Sequence, residues 1–177
     1  MDWKWLFTSF DGRIGRQSWW TGVGIFIVAA IVLNIILWPI LGSGSMGMMS
    51  DPTKMQDPNF WSGFMRAAAF RRLIMLVIFI YPATALMGKR LNDRDRPEWV
   101  KFAIWIPSVL MTLLGLLGLG WTVSDIGNGI MIPQMSGLAK LLSVISLVLG
   151  IWLLVELGIL RGTQGPNRFG PDPLAGK

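Results

Sequence analysis

The chain contains no cysteine and no histidine. The first absence excludes disulfides, thiolate metal sites, iron–sulfur clusters and cysteine nucleophiles. The second removes the commonest general base and the commonest ligand for metals and haem. Tyrosine occurs once, at Tyr81. Any chemistry therefore rests on carboxylates, hydroxyls, lysine, arginine or that single phenol. Acids are scarce as well, 10 against 16 Lys and Arg, which leaves a net charge of +6.

What remains is apolar. The chain is 53% hydrophobic with a mean hydropathy of +0.54, above the usual composition of a soluble domain. Four long apolar stretches run over 19–41, 73–87, 102–121 and 138–160. A helix crossing the hydrocarbon core needs about 20 such residues. The expected fold is all-α: an integral membrane bundle of four transmembrane helices behind an amphipathic N-terminal lead-in. Residues 1–177 form one membrane domain, with spans at about 19–41, 67–88, 102–121 and 138–160 and an irregular tail over 161–177. The first stretch is too long for a signal-peptide core and no small-residue cleavage pattern follows it, so it reads as an uncleaved span. The excess of basic residues reads as membrane-edge charge that fixes orientation and meets anionic headgroups, and not as a nucleic-acid surface.

Along the lead-in, Trp3, Trp5, Leu6, Phe7 and Phe10 are interleaved with Lys4, Arg13 and Arg16. Rings beside basic groups suit the headgroup layer, so this segment reads as a lipid anchor. The first span opens on Trp19 and Trp20, carries one interior amide at Asn34 and has Pro39 near its far end. Asn34 is expected to bond a neighbouring helix. The linker 42–59 holds Met46, Met48, Met49 and Met55. Methionine thioethers suit Cu(I), but without His or Cys nearby the preferred reading is a flexible linker.

An aromatic and basic segment over 60–72 reads as an interfacial helix. The 15 residues of the second apolar stretch cover only about 22 Å, which puts Arg71 and Arg72 close to lipid. The third span carries Pro107, Gly115, Gly118 and Gly120; a polar loop without Lys or Arg follows over 121–137. In the fourth span Ala139, Ser143, Ser146 and Gly150 form a small-residue stripe of the kind that lets helices approach. Glu156 is the one acid within any span and is expected to pair with Lys89, Arg90 or Arg161. The basic residues of the lead-in, the second connection and the tail outnumber those elsewhere 11 to 5. The positive-inside rule then places both termini in the cytoplasm.

The second connection has the strongest local signal, with Arg90, Asp93, Arg94, Asp95 and Arg96 alternating in sign. In one reading these side chains pair with one another and cap the helix ends. In the other Arg90, Asp93, Arg94 and Arg96 form a lipid-headgroup or partner-binding site, since guanidinium suits phosphate. The first is preferred. Asp93 and Asp95 could ligate a hard cation, but the adjacent arginines compete for the same oxygens. The tail from Gly162 to Pro173 is a chain of turns and lacks the following helix that a phosphate loop needs.

Three segments stand out together: Phe10-Asp-Gly-Arg13-Ile-Gly-Arg16 before Trp19-Trp20, Arg90-Leu-Asn-Asp93-Arg-Asp-Arg96 with Trp99, and the Gly162–Pro173 tail. In this order they resemble the YhaH/YhaI-like family of small bacterial inner-membrane proteins, a domain-of-unknown-function family. The resemblance implies a bacterial inner-membrane location and supplies no activity. The family's turn usually carries His where this chain has Asn92.

The expected role is non-enzymatic: an accessory, scaffolding or assembly subunit with no cofactor, no metal and no nucleic acid. Its expected partners are anionic lipids and other integral membrane proteins or itself. Ser143, Ser146, Gly150, Asn34 and Glu156 are the candidate helix-packing and ion-pair positions. The alternative is a small-solute or lipid transporter or lipid-handling protein. A third class, a membrane-embedded enzyme acting on lipid phosphates, would set Arg90, Arg94 and Asp93 around a headgroup.

Overall fold

The Asp2 carboxylate starts the first element by accepting from the Trp5 N–H at 3.1 Å, an N-cap, and α1 follows over Trp3–Thr8. The computed structural model describes residues 2–41, 51–127, 129 and 131–175. Helix α2 covers Arg16–Leu41. A short 3-10 turn at Pro52–Gln56 leads to α3, Pro58–Asp93. Helices α4 (Val100–Ala103) and α5 (Ile106–Leu116) follow. Strands β1 (Trp121–Asp125) and β2 (Met131–Met135) form a hairpin. Helix α6, Gly137–Leu153, ends in a π turn over Leu154–Ile159. Met46, Met48 and Met49 lie outside the described residues.

Among the described residues, three helices are long and apolar enough to cross a membrane: Arg16–Leu41, Pro58–Asp93 and Gly137–Ile159. This corrects two of the expected spans. The segment 60–72 is not a separate interfacial helix, because α3 runs unbroken through it for 36 residues. Pro58 begins α3, where a missing N–H costs nothing. The expected third span is shorter and broken. Pro107 sits at the start of α5, and Gly118, at φ +74, ends it. The Leu119 N–H reaches Leu114 O at 2.8 Å and the Gly118 N–H reaches Gly115 O at 3.2 Å. That is a Schellman stop, which requires a left-handed residue at Gly118.

The hairpin corrects the expectation of an all-α chain. Trp121 faces Met135 and Asp125 faces Met131 in antiparallel register. Two short runs of β-favouring residues, with Gly127 and Gly129 between them, carried the signal. Pro133 is tolerated because a two-stranded sheet consists of edges.

The chain divides into two compact units. The first comprises Met1–Ala29, Val77–Ile106 and Leu147–Lys177. Its apolar core joins Leu6, Ile14, Trp19, Leu86, Leu91 and Leu157. Phe26 meets Phe7 and Phe79 edge to face at 5.2 and 5.7 Å, a preferred aromatic geometry. The second unit comprises Ala30–Leu76 and Pro107–Ser146, with Met111, Ala139 and Leu142 at its core. There the Arg71 guanidinium lies 4.9 Å above the Trp38 ring, a cation–π contact.

On α6, Ala139 is fully buried. Ser143 and Ser146 donate to Ala139 O and Leu142 O of their own helix at 2.9 and 2.8 Å. A Cβ at Gly150 would meet nothing within 4 Å. The Asn34 amide likewise donates to Ala30 O in its own helix, at 2.9 Å, and is exposed.

Candidate functional site

The polar residues of the first unit converge on Asp93, the last residue of α3. Helix α3 stops there with a second Schellman pattern: the Arg96 N–H bonds Leu91 O at 3.0 Å and the Asp95 N–H bonds Asn92 O at 3.1 Å. Asp95 takes the left-handed position at φ 54. This stop leaves Asp93 facing inward with its side chain 3% exposed. One carboxylate oxygen accepts from Arg13 Nε and Nη2 at 3.1 and 3.0 Å. The other pairs with Arg90, one turn earlier. A buried carboxylate is kept charged only by such partners.

Arg13 carries the arrangement into the tail. Its Nη1 donates to Gly165 O at 2.7 Å and to Gly170 O at 3.2 Å. Its Nη2 donates to Thr163 O at 2.6 Å. The Asp93 carbonyl in turn accepts from the Thr163 N–H at 2.8 Å. The turns of the tail are wound around one guanidinium whose fork matches several acceptors at once. Gly162 is required for that approach, because any Cβ there would overlap the Asp93 carboxylate. Asn167 fastens the same turn, its amide donating to Asn92 O and Thr163 Oγ1 at 2.9 Å each. The N–H groups of Leu174 and Gly165 bond the Asp172 carboxylate and hold it below its usual range.

Arg90 closes the far end of the last helix. Its Nε donates to Leu157 O at 2.8 Å and its Nη2 to Leu160 O at 2.5 Å. These are the orphan carbonyls of a helix terminus. Lys89, also buried, bonds Leu6 O at 2.9 Å and the Ser9 carbonyl, which fixes α1. Asn92 donates to Gly12 O at 3.1 Å.

Glu156 is buried, but its partners differ from those expected. Arg94 Nε lies 3.1 Å and Arg96 Nε 2.6 Å from Oε1. Lys89, Arg90 and Arg161 are not its partners. Lys89 and Arg90 are committed to backbone carbonyls, and the π turn aims Glu156 at the connection after α3. The pairing raises Arg96 above its usual pKa, chiefly through the Glu156 hydrogen bond. Because Arg96 is 43% and Arg94 21% exposed, water shares the load. Glu156→Gln is expected to lower the melting midpoint in detergent by only a few degrees, equivalent to about 1–2 kcal/mol. A loss as large as that of a fully buried pair would contradict this.

The four residues proposed from sequence as a headgroup or partner site, Arg90, Asp93, Arg94 and Arg96, thus lie in one cluster but serve two acids. Arg13, Thr163 and Asn167 complete it, and residue-by-residue reading passed over them. Their signal was that they belong to the three motif segments that carried the family resemblance. Among the described residues no group of three or more acids is arranged to hold a metal ion.

A family model described as "Protein of unknown function (DUF805)" matches residues 7–171. That span includes every member of the cluster. The uncharacterized protein YiiR of Escherichia coli K12 is 28% identical over 169 residues, covering 96% of this chain and 88% of YiiR. The protein of the same name from Escherichia coli O157:H7 gives the same values. No solved structure matches the chain.

Proposed function

This chain belongs to the family of proteins of unknown function DUF805, and from that premise we propose a role for it as a multi-pass protein of the bacterial inner membrane. It acts without catalysis, as an accessory, scaffolding or assembly subunit of a membrane complex, with both termini cytoplasmic. The narrower likeness to YhaH/YhaI-like proteins is part of this proposal and rests on the three motif segments. The observation that carries the role is the state of the buried charges: Arg13, Arg90, Asp93 and Glu156 are each taken up by one another or by backbone carbonyls. A general acid or base needs a proton position open to substrate, and these groups are used to hold three chain segments together.

The path of the chain supports the topology. The start of α2, the end of α3, the start of α4 and the end of the π turn all belong to the first unit. In this reading the three membrane-length helices and the shorter apolar segment Val100–Leu116 make four crossings. Large apolar side chains on α2 and α6 are left exposed, among them Ile35, Ile40, Leu147 and Val148, as lipid or a membrane partner requires.

Gentle extraction from the host membrane, followed by native electrophoresis and mass spectrometry, tests the role. The expected result is a stoichiometric complex with a larger integral membrane protein. Migration of the chain alone or as a homo-oligomer, at native abundance, overturns it.

A further inference from the structure

We propose that the first unit carries a phosphate-binding site for an anionic headgroup, in a cavity gated by Arg16 and Arg161. The cavity has a volume of about 420 Å³, with Arg90 and Asp93 in its inner wall and Arg16, Arg161 and Gln164 around it. That is within the range of small-ligand pockets and ample for a phosphodiester with its glycerol.

The two gating arginines differ from those of the buried cluster. Arg16 donates from Nη1 to Ile159 O at 3.0 Å, which leaves Nε and Nη2 open. Arg161 contributes its carbonyl to Arg94, while its side chain makes no hydrogen bond or ion pair among the described residues. Fork-shaped donors with unused N–H groups are what a phosphate recruits. Among the described residues neither acid in the wall is bonded to Arg16 or Arg161. Asp93 is held between Arg13 and Arg90, and both oxygens of Asp172 accept backbone N–H groups.

The start of α2 adds to the same field. The Trp19 N–H bonds Gly15 O at 3.1 Å, so the N–H groups of Arg16, Gln17 and Ser18 precede the intrahelical ladder and bring the positive end of the helix dipole to this place. Gln17, Ser18 and Trp20 line an adjoining cavity that shares Gly15, Arg16 and Leu174 with the first. Both cavities lie where the first membrane-length helix begins and the last one ends, the level of a headgroup phosphate with Trp rings beside it.

The test is native mass spectrometry of the full chain in detergent, supplied with phosphatidylglycerol or with zwitterionic phosphatidylethanolamine. A parallel arm follows the melting midpoint with inorganic phosphate alone. Wild type is expected to retain phosphatidylglycerol at least tenfold better than phosphatidylethanolamine. Arg161→Gln, which removes no internal bond, is expected to lose most of that preference, and Arg16→Gln/Arg161→Gln all of it. Stabilisation by inorganic phosphate alone, lost in Arg161→Gln, also supports the site and assigns its ligand to a soluble phosphate. Lipid retention and phosphate response unchanged in the double variant, with its helicity intact, overturn the proposal.

Discussion

Asp93→Ala is expected to lower the melting midpoint of the detergent-solubilised protein by on the order of 10 °C, equivalent to about 3–5 kcal/mol. Asp93 is the shared counter-charge of two guanidinium groups, Arg13 and Arg90, whose side chains are each 1% exposed. Without it two buried cations face each other across a vacated site. Neither can withdraw into water without dismantling other bonds. Arg90 holds the end of the last helix at Leu157 O and Leu160 O, and Arg13 holds the tail. The comparison that isolates burial is Arg168→Ala. Arg168 pairs with Asp95 at 2.8 Å, but the two side chains are 57% and 47% exposed, so its removal is expected to cost less than about 1 kcal/mol. Equal effects of the two substitutions would show that burial is not what gives Asp93 its weight.

Arg13→Lys is expected to release the tail while leaving the membrane helices in place. Lysine keeps the charge, but one ammonium has no planar fork. It cannot serve Asp93 and the carbonyls of Thr163, Gly165 and Gly170 together, as the guanidinium does. Losing two charge-assisted bonds of about 1.5 kcal/mol each makes local opening of residues 163–170 roughly 100-fold more frequent. Hydrogen exchange with peptide-level readout measures this. Protection over 163–170 should fall by about that factor, with α2 and α6 unchanged. A tail that exchanges at the wild-type rate in the lysine variant would mean that charge alone organises it.

The membrane character of this chain was legible because hydrophobic length is a direct physical signal. Helices α2 and α6 lie close to where their apolar runs placed them. The third span was overestimated because composition was counted across Pro107 and Gly118, each of which interrupts a helix for a reason local to the backbone. The hairpin was missed because its strands are short and sit next to a long apolar run, although Gly127 and Gly129 marked its turn. In the candidate site, Glu156 was recognisable as an acid that must be paired, but its partners were not. Which arginine reaches it depends on the π turn at Leu154–Ile159 and the left-handed Asp95, and neither has a distinctive sequence. Arg13 looked like one more interfacial cation. Only the fold brings it against Asp93, 80 residues away.

A double-mutant cycle between Arg13 and Asp93 is the most direct test of the claim that this pair joins the lead-in, the end of α3 and the tail into one unit. Unfolding free energies of the wild type, Arg13→Ala, Asp93→Ala and the double variant would be measured in the same detergent. The account predicts a coupling of about 2 kcal/mol or more, with the double variant barely less stable than the worse single one. Losses that add to within about 0.5 kcal/mol would contradict it and reduce the cluster to independent contacts.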